Sequence, residues 1–127
     1  METASSLYSE MMKLADLLQR QRFNMVQEKL TQLEVERFLH QHAIQFDREH
    51  RLSANDIPDF LIYTKFGEIV LEVKLHFPRR AIYRQLERYA AHDSVHGLIL
   101  LTGTSMGLPQ TIKGKPTLLV SLGAGWL

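Results

Sequence analysis

Apolar residues recur at helical spacing through Leu7, Met11, Leu14 and Leu18, with Lys13, Asp16 and Arg20 between them. The chain therefore opens on an amphipathic helix, capped at Ser5 or Ser6. Its stripe covers either the domain's own core or a partner subunit, since both uses share one periodicity. A second helix is predicted from an N-cap at Asn24, with Gln27 in the capping-box position, to about Gln41. Val26, Leu30 and Leu33 form one stripe along it. Val35 and Leu39 form another, and Glu28 falls on that second line. A carboxylate on a covered line is costly unless it is paired, hydrogen-bonded or bound to a metal.

The period then shortens. Gln45 to Leu52 alternates among polar residues and reads as an edge strand. Turn chemistry at Ser53-Ala54-Asn55-Asp56 precedes Asp59 to Thr64 and Glu68 to Leu75, two runs rich in β-branched and aromatic residues that make a hairpin around Lys65-Phe66-Gly67. Pro78 initiates a helix carrying Ile82, Leu86, Tyr89 and Ala90, ending near Asp93. Gly97 to Leu101 is a nearly continuous apolar run, as in a strand buried on both faces, so strand, helix and strand form a parallel crossover. Thr104 to Pro116 reads as a loop, and Thr117 to Leu122 as a last strand before Gly123 and Trp126.

This order predicts an α/β domain, a mixed sheet flanked by helices. With 127 residues and 45% hydrophobic content, one core is the expectation: an N-terminal helix over residues 1–22, a core over 24–102 and a C-terminal loop and strand over 103–127. No apolar run is long enough to span a bilayer, and the first residues lack the charged-then-apolar pattern of a signal peptide, so a cytoplasmic protein without a membrane partner is expected. The absence of cysteine excludes disulfides, thiolate catalysis and Cys-built zinc sites. His40 and His42 do not share a helical face, and Gly103-Thr104-Ser105-Met106-Gly107 lacks the Walker lysine, so zinc and nucleotide-triphosphate loops are rejected as well. Net charge is only +1, so any case for nucleic acid depends on where the charges sit.

Charge concentrates in the hairpin. Glu72 and Lys74 are two apart and share one strand face, Asp59 opens the preceding strand, and the residues around them are apolar. Carboxylate oxygens of this kind suit Mg²⁺ or Mn²⁺, which retain water and complete their shell with phosphate oxygens. A lysine beside them can orient an attacking water or stabilise developing charge, so the parts suit phosphodiester hydrolysis.

Ile57-Pro58-Asp59-Phe60 followed after a hairpin by Leu71-Glu72-Val73-Lys74 resembles the signature of the PD-(D/E)XK nuclease superfamily. The resemblance runs from about Glu28 to Leu101. It implies a restriction-endonuclease-like core: a helix, a three-stranded meander, a crossover helix and a further strand (αβββαβ). It implies Asp59, Glu72 and the main-chain carbonyl of Val73 as metal ligands, Lys74 as the catalytic lysine, and Glu28 as the first-helix acid, with Glu34 and Glu36 as substitutes. Arg84-Gln85-Leu86-Glu87-Arg88-Tyr89 is similar to the Gln-and-Tyr helix motif of resolvase-like and virus-type members, which would turn Gln85 toward the site.

Arg80, Arg84 and Arg88 recur every four residues beside this site, a basic stripe for a phosphate backbone to which Tyr89 adds an aromatic ring. Nothing resembles a base-reading module, so backbone or shape recognition is expected. The sequence thus points to a Mg²⁺- or Mn²⁺-dependent endonuclease acting on DNA. Its rival is a nuclease-fold binding or assembly subunit without turnover. So short a chain leaves target choice to DNA structure, a homodimer or a partner protein. Lys113 and Lys115 are read as solubilising a loop.

Overall fold

The structure, a computed structural model, describes residues 2–122; Gly123 and Trp126, expected to follow the last strand, lie outside them. The elements in chain order are α1 (Glu2–Gln19), α2 (Glu28–Gln41), β1 (Phe46–Arg48), β2 (Phe60–Thr64), β3 (Gly67–Lys74), α3 (Arg79–Ala90), β4 (Gly97–Thr102), β5 (Thr111–Ile112) and β6 (Lys115–Ser121). The strands form one mixed sheet in the order β1-β2-β3-β4-β6-β5. β1, β2 and β3 pair antiparallel, β3 and β4 parallel across α3, β4 and β6 parallel, and β5 and β6 antiparallel.

Strand alternation divides the core into two layers. Phe60, Ile62, Ile69, Leu71, Val73, Ile99 and Leu101 face α1 and α2, while Leu61, Val70, Leu98 and Leu100 face α3 with Ile82, Leu86, Tyr89 and Ala90. The first helical stripe belongs to this core: Leu7, Met11, Leu14 and Leu18 are all buried. They therefore give no surface to a second subunit. Met11 fits because position 97 is glycine, where a Cβ would stand 2.6 Å from its sulfur. Gly67, at φ 144 in the hairpin, is likewise required, since a Cβ there would meet His96.

Several elements differ from expectation, each for a local reason. Asn24 does not cap α2. Its Oδ1 accepts from the N–H groups of Val26 and Gln27, closing a turn ahead of the helix, which starts at Glu28. Val26, Leu30 and Leu33 are exposed, and Val35, Phe38 and Leu39 carry the packing instead. β1 stops at Arg48 because Glu49 takes φ 51 and leaves the extended region. β2 begins one residue later than expected, at Phe60, and α3 ends at Ala90, short of Asp93. Part of the expected loop is a hairpin: Lys113 and Gly114, at φ 51 and 78, make a two-residue turn that pairs β5 with β6. Lys115 does more than solubilise, since it is half-buried and its Nζ donates to the His92 carbonyl at 2.5 Å. Among the described residues no helix is long and apolar enough to cross a membrane.

Candidate active site

Asp59 sits one step beyond the Phe60↔Leu71 pair of the β2–β3 ladder, which sets it opposite Glu72. There the carboxylates take over from backbone pairing. The Asp59 N–H donates to Glu72 Oε1 at 2.9 Å, and the Val73 N–H donates to Asp59 Oδ2 at 2.8 Å. This reciprocal lock fixes both acids at the end of the hairpin without spending all their lone pairs. Within a strand a residue's carbonyl lies along the same edge as its N–H, so Val73 turns its carbonyl toward the Asp59 side.

Glu72 is 2% exposed, on the α3 side of the sheet. Its second oxygen, Oε2, lies 3.4 Å from Lys74 Nζ and accepts from the Tyr89 hydroxyl at 3.3 Å. Burial is the main force that raises the Glu72 pKa above the carboxylate range, and the charge of Asp59 adds to it. Asp59 is raised as well, again by burial first; the Val73 N–H and Lys74 pull it back, and Glu28 raises it further. Tyr89, hemmed in by burial and by these two acids, has its hydroxyl pushed strongly toward the protonated form.

Of the three helical glutamates, Glu28 is the one beside the hairpin: its Oε1 accepts from the Leu75 N–H at 3.1 Å. Glu34 accepts from the Asn24 N–H, and Glu36 pairs with Arg48 at 3.0 Å. Gln85 is half-buried and lines a cavity of about 340 Å³ together with Lys74, Arg84 and Arg88. Arg80 lines a neighbouring hollow with Arg79 and Tyr83. Tyr89 departs from its expected place on a nucleic-acid surface, because it is 1% exposed and its hydroxyl faces Glu72 and the Ile57 carbonyl. Arg88 remains half-exposed but donates to Asp56 at 3.1 Å, so part of its charge is engaged.

Three contributors escaped the sequence. Gln32 donates to Asp59 Oδ1 at 3.2 Å and accepts from Arg48, so it orients the acid. Its only signal is its place four residues after Glu28, on the same helical line. Arg48 lies over the Phe60 ring, 4.9 Å from its centroid, and helps keep Asp59 ionised. Asp56, in the predicted turn, is clamped by Arg88 and by His92 Nε2 at 2.8 Å, which ties the segment before Pro58 to α3. Nothing local in the sequence announces that clamp.

Among the described residues, no group of three or more Asp, Glu and His side chains stands ready to cage an ion. Mg²⁺ does not require one, since it keeps several waters and rests on one or two carboxylates. The charge of Asp59 raises the cost of ionising Glu72 and that of Glu28 the cost of ionising Asp59, while Lys74 favours both carboxylates and Arg48 favours Asp59. That donor set fits a hard divalent ion. The hollow of about 820 Å³ between α1 and the hairpin is larger, and it mixes apolar residues such as Leu14 and Phe66 with Glu10, Lys13, His42 and Lys65, but Asp59, Glu72, Glu28 and Lys74 do not line it. No protein-family model, curated protein or solved structure matches the chain.

Proposed function

We propose that the protein is a metal-dependent nuclease that hydrolyses DNA phosphodiester bonds by endonucleolytic cleavage. The observation that carries this reading is the convergence of Asp59, Glu72 and Glu28 with Lys74 at one end of β2 and β3. Strand order and pairing support it, because β1-β2-β3-β4 with a parallel β3–β4 step across α3 agrees with the αβββαβ core of PD-(D/E)XK nucleases.

Asp59 and Glu72 would hold Mg²⁺ or Mn²⁺, with the Val73 carbonyl and Glu28 in support. When bound, the ion polarises the phosphodiester and lowers the pKa of a water. Lys74, 13% exposed and held by Glu72, presents its ammonium where an attacking water or a developing negative charge can be met. Tyr89 and Gln32 restrain the two acids. Gln85, Arg84 and Arg88 line the adjoining cavity, where a phosphate backbone can lie.

The competing reading, a binding or assembly subunit without turnover, draws on the lack of a ready three-ligand cage among the described residues. Metal dependence separates the two. Labelled linear, circular, single-stranded and branched DNA are incubated with Mg²⁺, Mn²⁺ or EDTA, with Lys74→Ala alongside. Cleavage by the wild type in metal alone is expected. Retained binding with no cleavage of any substrate in either metal would move the assignment to the binding subunit.

A further inference from the structure

Phe77 follows Lys74 by three residues, lies outside both apolar clusters and is 41% exposed. Its ring centroid stands 4.4 Å from Lys74 Nζ, and the ring is one wall of the cavity of about 340 Å³ that Arg84, Gln85 and Arg88 complete. The backbone beneath the ring is anchored. The Thr104 hydroxyl donates to the Phe77 carbonyl at 3.0 Å, and the Gly103 N–H donates to the Lys74 carbonyl at 3.1 Å. A ring on such a support has little backbone freedom to lose when something settles on it.

The cations of this cavity suit phosphates, but the face of the ring turned away from the Lys74 ammonium suits a base. In a continuous duplex the base faces are covered by their stacked neighbours, and only the backbone and groove edges are presented. A ring beside the lysine that meets the scissile phosphate would then touch sugar alone. An unpaired nucleotide can turn its base out and lay it on the ring while its phosphates stay with the cations. Resting on the nuclease reading above, we infer that Phe77 is a stacking platform and that the cavity is a subsite for an unpaired nucleotide. The preferred substrate is therefore single-stranded or locally unpaired DNA.

The test reads binding rather than cleavage, using the full chain in EDTA with a labelled deoxyoligonucleotide as a single strand and as its duplex. The wild type binds the single strand more tightly. Phe77→Ala weakens that binding by roughly five- to a hundredfold and leaves duplex binding unchanged, as expected for one lost base–aromatic stack. Phe77→Leu, which keeps apolar bulk without a π face, behaves like the alanine variant, and Phe77→Trp restores binding. A 2-aminopurine base in the oligonucleotide is quenched by the wild type and not by Phe77→Ala. Unchanged melting of each variant shows that the fold is kept. If Phe77→Ala binds the single strand as the wild type does, or weakens both forms equally, the stacking platform is wrong while the nuclease reading stands. If the wild type binds neither form, the stacking platform is overturned, and cleavage in Mg²⁺ or Mn²⁺ alone decides the nuclease reading.

Discussion

Glu72 is nearly inaccessible, yet it keeps three donors: Lys74, Tyr89 and the Asp59 N–H. Burial raises its pKa and that of Asp59 above their unfolded values, so the folded protein holds these protons more tightly than the unfolded chain. Stability from this source is complete below the ordinary carboxylate range and is lost as pH rises through the raised values. In metal-free protein the melting temperature is expected to fall from about pH 5 to about pH 8, with Glu72→Gln flattening the slope. A variant whose slope matches the wild type would refute the assignment. Lys74→Ala and Asp59→Asn are each expected to lower cleavage by about a hundredfold or more without loss of fold, measured as single-turnover rates alongside thermal melts. Gln32 acts through Asp59. Gln32→Leu should raise the Mg²⁺ concentration for half-maximal cleavage by about tenfold, whereas a merely structural role would move the melting temperature and leave that midpoint alone.

At the scale of elements, α2 shows why periodicity alone misassigns a face. It carries two apolar lines, and the one through Val35 and Leu39 packs while Val26, Leu30 and Leu33 stay exposed. Leu39→Ala is therefore expected to destabilise by about 2–5 kcal/mol, and Leu33→Ala by about 0.5 kcal/mol or less, in chemical denaturation. Equal effects would place the core on the wrong side of the helix. The same choice sets Glu28 beside the hairpin, because the line that packs is the one that carries it. Much of the fold was legible: the hairpin, the Pro78-initiated helix and the apolar β4 each have a strong local signal. The short β5 did not, since Lys113-Gly114 is a weak form of the two-residue turn that prefers Asn or Asp before Gly.

Across the whole molecule, α3 brings Arg84 and Arg88 to the cavity beside the candidate site, while Lys74 and Arg48 reach the acids from β3 and β1. Arg84→Ala should weaken DNA binding and reduce the slope of log affinity against log salt by about one, as expected for one lost phosphate contact. An unchanged slope would remove Arg84 from the interface. The stripe that suggested a homodimer is buried within the chain's own core, so a dimer would need another surface. Light scattering at working concentration tests it, and a monomeric mass would leave target choice to DNA structure or a partner protein.

What the chain determined by itself was local. Helical and alternating periods follow from one residue's relation to its near neighbours, and they marked out the helices, the hairpin and the pairing of Asp59, Glu72 and Lys74 with few errors. Partners distant in sequence were decided only by the tertiary structure. Gln32 meets Asp59 across 27 positions, Asp56 meets His92 across 36, and Tyr89 turns inward to Glu72 rather than out to solvent. The reason is physical: a side chain's neighbours across the fold depend on how sheet and helices pack, and no spacing along the chain encodes that distance.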